Sequence, residues 1–362
     1  MDETLAAART TYGLVAQLPL AIEDVQLERR ELEVANGFRR VTTVVRLRGA
    51  GEEGVGEDVV YDAAEHDDPP RPPVEGAWDS LAALSEHVGA LDLFAAKPAH
   101  AAYRNYRRWA YESAALDLAL RQAGTSLARA LGREARPVSF VVSMRIGSPP
   151  SAAPVLRWLE LYPGLRFKLD PTSDWDEPLV AELVATGAVD SVDLKGAYRG
   201  TVVDQPPDPG LYRLVADGFP DAWIEDPNLD DAACAAVLEP HRERITWDAP
   251  IHSVGDIEAL PFPPRMLNVK PSRFGSVRAL LDGYDYCAAR GISVYGGGQF
   301  ELGPGRGQIQ YLASLFHPDT PNDVAPGGFN VPPPRPGLPS SPLAPAPAAA
   351  GFRWGGDAVT LS

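Results

Sequence analysis

Between Arg166 and Lys270, five short apolar runs each hold or end on an ionisable residue. They are Leu165 to Leu169 around Lys168, Val189 to Leu194 around Asp193, Ala222 to Glu225, Ile245 to Asp248, and Met266 to Lys270. Pro, Gly and Asp bound these runs and helical patterns separate them. They therefore predict parallel strands in βαβ units, where both faces are covered and strict alternation is not required. A further run at Val138 to Ile146 and a helix at Ala152 to Leu161 come before them; a strand at Ile292 to Tyr295 and a weak one near Asp323 to Ala325 come after. Helices are predicted at Glu177 to Thr186, Gly210 to Gly218, Asp231 to His241, Val254 to Leu260, Ser276 to Arg290 and Gly307 to Phe316. One strand and one helix per roughly 25 residues is the period of a (β/α) array.

The first third of the chain reads differently. Val25 to Val34 and Arg39 to Arg48 alternate, with Asn36 and Gly37 between them, which predicts a β-hairpin. Gly51 to Gly56 reads as a loop and Glu57 to Tyr61 as a third strand, followed by helical spacing over Trp78 to Val88 and Ala99 to Leu131. The fold class expected is α/β: an α+β capping domain over 1–135 and a modified TIM barrel over 136–334. After Asn330 the chain turns to Pro and Ala, and the segment 335–362 is expected to pack back on the first domain.

Length and charge narrow the function. The 362 residues suit a barrel of roughly 200 to 250 residues with a smaller companion. A net charge of −16 argues against a nucleic-acid partner, which a basic face would meet. Cys234 and Cys287 both fall in apolar helical patterns, so no disulfide framework is expected. Met1 to Arg9 has no long apolar run, so neither a signal peptide nor a membrane span is expected, and the default location is cytoplasmic.

In a barrel the C-terminal ends of the strands gather in one place. As barrel strands 2 to 6, the five runs present Lys168, Asp193, Glu225, Asp248 and Lys270, with the lysines on opposite walls. Three converging carboxylates repel one another unless a cation joins them, and an all-oxygen set favours Mg²⁺, then Mn²⁺. The metal would polarise a substrate carboxylate, and a lysine on either side could remove the proton from its α-carbon.

These residues resemble the enolase superfamily, and within it the muconate lactonizing enzyme subgroup. Arg166, Phe167 and Lys168 match its Lys-x-Lys motif. Asp193, Glu225 and Asp248 match its metal ligands, and Lys270 its second lysine, in Asn268-Val-Lys-Pro-Ser-Arg-Phe-Gly275. Glu301 fits the motif after strand 7, and Val41 to Glu57 resembles the capping domain's hairpin and mobile loop. The resemblance implies lysine acid/base catalysis beside Mg²⁺, the known mechanism of that superfamily, on a small carboxylate substrate, in a homo-oligomer with no nucleic acid or membrane partner. It also implies that Thr10 to Leu20 and Gly51 to Gly56 close over the barrel mouth.

Two departures bear on the site. Arg166 keeps the charge of the first lysine but not its capacity for proton transfer. Lys195 replaces an asparagine, placing an extra cation that would either bind a second anionic group of the substrate or pair with a metal-site carboxylate. Arg166, Lys195 and Glu301 are thus expected in substrate binding or support. The outcome expected on overall resemblance is muconate-cycloisomerase-like. The alternatives are an N-acyl amino acid racemase, a dipeptide epimerase, an o-succinylbenzoate synthase-like dehydratase, or a non-catalytic protein that binds metal and a carboxylate.

Overall fold

A computed structural model describes residues 10–33, 39–198, 204–331 and 333–355. After a short helix α1 (Gly13–Ala16), strand β1 (Leu20–Ile22) leads into β2 (Asp24–Glu33), β3 (Arg39–Gly49) and β4 (Glu52–Asp58). β2, β3 and β4 form an antiparallel sheet in that order, with Val25 opposite Leu47 and Val45 opposite Gly56. Residues 34–38, where the sequence predicts the hairpin's Asn36–Gly37 connection, lie outside the described residues. β5 (Gly76–Trp78) pairs with β1, and then α2 (Leu81–Ala90), α3 (Tyr103–Gln122) and α4 (Leu127–Ala130) follow.

Gly51 to Gly56 is not a loop over the barrel. Most of it is β4, and its glycines allow the sheet to touch α3. A Cβ on Gly54 would stand 2.2 Å from the Ala114 carbonyl oxygen, and one on Gly56 would stand 2.0 Å from that of Ala110. Thr10 to Leu20 also docks elsewhere: the Thr11 amide donates to Asp285 at 2.8 Å, on a barrel helix.

The barrel strands are β6 (Val142–Met144), β7 (Phe167–Leu169), β8 (Val189–Asp193), β9 (Trp223–Glu225), β10 (Ile245–Thr246), β11 (Met266–Val269) and β12 (Ser293–Gly296). The helices between and after them are α5 (Ala153–Leu161), α6 (Glu177–Ala185), α7 (Pro209–Gly218), α8 (Ala232–Leu238), α9 (Val254–Glu258), α10 (Pro271–Phe274), α11 (Val277–Arg290) and α12 (Pro304–Phe316). Asp176, Asp208, Asp231, Ser253 and Ser276 each accept backbone N–H groups at a helix start, which fixes where the helix begins. β6 to β10 pair in sequence order and β11 pairs with β12, all parallel. The Asn268 amide bonds the Trp247 carbonyl at 3.0 Å and joins the two sets.

The eighth position is a bridge rather than a full strand. Asn322 pairs with Phe140 and Asp323 with Gly297. The Asn322 side chain takes the Gly296 N–H at 2.7 Å and gives its own to the Ser139 carbonyl at 3.0 Å, closing the ring.

Buried polar groups join the capping domain to the barrel. Arg40 donates to the Val60 and Val59 carbonyls at 2.6 and 2.7 Å, and to the Gln299 and Phe300 carbonyls at 2.8 and 3.1 Å. Glu57 accepts the N–H groups of Leu302, Gly303 and Gly305 at 2.6 to 3.0 Å, at the start of α12 where such donors have no helical partner. The C-terminal segment also lies on the first helices: Asp117 on α3 holds the Phe352 N–H at 2.7 Å and Arg353 at 2.8 Å. No helix among the described residues is long and apolar enough to cross a membrane. Both cysteines are buried and free, with burial raising the thiol of Cys234 to about 12 and that of Cys287 to about 11.

Candidate active site

Lys168 stands on β7, Asp193 ends β8, Glu225 ends β9 with Asp226 next, and Asp248 and Lys270 follow β10 and β11. All six are exposed by 6% or less. The Lys168 ammonium contacts Glu225, with Asp193 at 3.1 Å and Asp323 at 3.6 Å. Lys270 Nζ lies 2.8 Å from Asp248 Oδ2, and Arg273 reaches Asp248 Oδ1 at 2.9 Å from the first turn after the strand. Tyr198 donates to Asp248 Oδ2 at 3.0 Å, and Tyr295 donates to Glu225. Asp226 accepts the N–H groups of Asp248 and Ala249, both at 2.9 Å, and so fixes the chain leaving β10.

The electrostatics follow from crowding acids and cations in one dry place. Burial opposes charge on Lys168, but Glu225, Asp193 and Asp323 outweigh it and hold the ammonium well above its usual range. Burial and then the cations compete at Asp193 and Asp248. Lys195 with Lys168 wins at the first and Arg273 with Lys270 at the second, and both acids fall below the usual carboxylate range. Burial, joined by repulsion from neighbouring acids, lifts Glu225 well above that range and Asp226 to about 7.

Asp193, Glu225 and Asp226 each bring an oxygen within 4.8 Å of the others, a buried all-oxygen set that could hold a hard metal ion. Asp248 is not one of this compact group, since its carboxylate faces Lys270, Arg273 and Tyr198.

The three supporting residues part ways. Lys195 joins the cluster, its ammonium on Asp193 and 3.4 Å from Asp170. Glu301 lies at the junction with the capping domain, where it accepts the Gln299 amide at 2.6 Å and pairs with Arg306 at 3.1 Å. Arg166 does not reach the cluster. It stands at the opposite, N-terminal end of the strand, 42% exposed and paired with Asp190. It precedes β7, and Asp190 and the Gly187 carbonyl hold its guanidinium at the start of the strand, away from the end where Lys168 meets the acids. Arg273, Tyr198, Tyr295 and Asp323 were not anticipated at the site, and Asp226 only as a support.

A family described as domain of unknown function (DUF8230) matches this chain, its N-terminal domain over 13–130 and its C-terminal domain over 134–331. A muconate cycloisomerase variant has the same fold, with a TM-score of 0.66 at 22% identity over 94% of this chain and 97% of its own. The chain belongs to the DUF8230 family. It is 29% identical over 291 residues to an o-succinylbenzoate synthase of Geobacillus stearothermophilus, covering 76% of this chain and 74% of that one. It is 32% identical over 252 residues to an N-succinylamino acid racemase of an Amycolatopsis species, covering 66% of each. The protein is thus an enzyme, and its fold pairs an α+β capping domain with a (β/α) barrel.

Proposed function

We propose that this enzyme removes the proton α to the carboxylate of a small substrate, with Lys168 and Lys270 as its acid/base pair. The observation that carries this reading is the placement of two buried lysines, from barrel strands four apart in the ring, on either side of one carboxylate cluster. A divalent cation, Mg²⁺ first and Mn²⁺ second, held by Asp193 and Glu225 with Asp248 turning in from Lys270 and Arg273 as the third ligand, would supply positive charge to the substrate carboxylate as negative charge develops there. Asp226 supports Asp248 through its backbone and is near enough to Asp193 and Glu225 to share that role.

One lysine takes the proton at its Nζ, while the other returns a proton or offsets the charge from the opposite face. Tyr198 and Arg273 share Asp248 with Lys270, and Tyr295 shares Glu225 with Lys168, which fixes where each carboxylate stands. Binding alone requires no base on either face, which weighs against a non-catalytic role.

The outcome after proton removal is read from the sequence relatives. These favour loss of water, as in o-succinylbenzoate synthase, or reprotonation of an N-succinylamino acid. The cycloisomerase-like outcome rests on likeness of fold. The break between the family's two domain models supports a boundary near residue 135. A homo-oligomer and a cytoplasmic location complete the reading; two free buried thiols support the second, and light scattering and cell fractionation test them in turn.

Proton NMR in D₂O tests the substrate class, with Mg²⁺ and separate pools of N-succinylamino acids, cyclohexadiene carboxylates, dipeptides and lactones. Loss of an α-proton resonance in one of the first two pools is expected. Exchange confined to lactones would restore the cycloisomerase outcome, and exchange undiminished by thorough chelation would remove the metal.

A further inference from the structure

Lys195 has both oxygens of Asp193 in its grip. Its backbone N–H bonds Oδ1 at 3.1 Å and its ammonium contacts Oδ2. It adopts φ of 53°, a left-handed conformation uncommon for a residue with a side chain, in a turn that neighbouring bonds fix. Leu194 N–H holds the Glu225 carbonyl at 2.9 Å, and Gly196 N–H holds that of Asp226 at 2.8 Å. The backbone is therefore set, and the free motion left to Lys195 is in its four-carbon stem.

A second acceptor lies beside the first. Asp170 Oδ1 is buried, makes no hydrogen bond among the described residues, and stands 3.4 Å from Lys195 Nζ. An unsatisfied buried oxygen is costly, and a small swing of the lysine would satisfy it. The same swing would leave Asp193 Oδ2 with one cation in place of two, the Lys168 ammonium at 3.1 Å.

We propose that the Lys195 ammonium occupies the cation position on Asp193, that a divalent ion binds by displacing it, and that Asp170 receives it. This rests on the metal reading given above. Lys195 and the ion are then alternative tenants of one oxygen, and metal affinity is set by their exchange.

Calorimetric titration with Mg²⁺, in the absence of substrate, separates the possibilities. The proteins are the parent, Lys195→Met, Asp170→Asn and the double variant, with Lys195→Gln as a second replacement should Met unfold the turn. Lys195→Met is expected to bind Mg²⁺ about tenfold or more tightly, the order seen when residues behind metal ligands change. Asp170→Asn is expected to weaken binding in the parent and to do so much less once Lys195 is gone. Equal or weaker binding by both Lys195 variants overturns the displacement. An Asp170→Asn effect of the same size in both backgrounds overturns Asp170 as the receiving group. Failure of every protein to bind Mg²⁺ would instead remove the metal reading itself.

Discussion

Asp226 shows how one carboxylate can serve a site through its neighbour. With its oxygens on the amides of Asp248 and Ala249, it fixes the position of Asp248 between Lys270 and Arg273. An asparagine there would turn an N–H₂ toward one of those donors. Asp226→Asn is expected to lower Mg²⁺ affinity by about 10- to 100-fold, the range for groups that orient metal ligands, and calorimetry reads this directly. Lys168, Asp193, Glu225, Asp248 and Lys270 were legible because each is an ionisable residue at or next to the C-terminal end of an apolar run. Arg273, Tyr198 and Tyr295 were not, because their role depends on which way a helix turn, a loop and a strand end face. Arg166 matches a motif position, but its distance from the acids depends on the depth at which it enters the barrel, where Asp190 and the Gly187 carbonyl hold it.

At the scale of elements, β4 and α3 approach so closely that their contact is made through glycine. Gly56→Ala would drive a Cβ into the Ala110 carbonyl, and helix and strand would have to part. Overpacking of this kind costs about 1–3 kcal/mol. The variant is expected to melt several degrees below the parent, and an unchanged melting temperature would show that the contact is slack. The sequence reads equally well as a glycine-rich loop, because nothing local marks a glycine that is needed for packing by a helix some fifty positions away. The parallel strands and their helices were easier to read, since both apolar runs and N-cap residues are local signals. Strand eight was visible only as a weak pattern because the Asn322 side chain makes bonds that a longer strand would make with its backbone.

At the scale of the whole molecule, closure of the barrel is tied to pH through His317. Buried, this imidazole bonds Asn322 Oδ1 at 2.6 Å and meets the Tyr284 hydroxyl at 3.3 Å. Burial lowers it to about 4 from 6.5, so the unfolded chain takes up a proton that the folded one refuses. Stability is therefore expected to fall as pH drops from about 6.5 to about 4 and to level off below, by about 3 kcal/mol through this group. Denaturant titrations of the parent and His317→Gln across that range should diverge by this slope. Parallel profiles would show that the imidazole is not held neutral.

The two lysines and the carboxylates between them come together only when the barrel is closed, so the most direct measurement is α-proton washout into D₂O. It is followed by NMR on the substrate found for the parent, in the presence of Mg²⁺. Lys168→Ala and Lys270→Ala should each reduce it by at least about 100-fold, the contribution of a positioned acid or base, while calorimetry shows Mg²⁺ still bound. Washout at the parental rate in both variants would contradict proton transfer by these lysines.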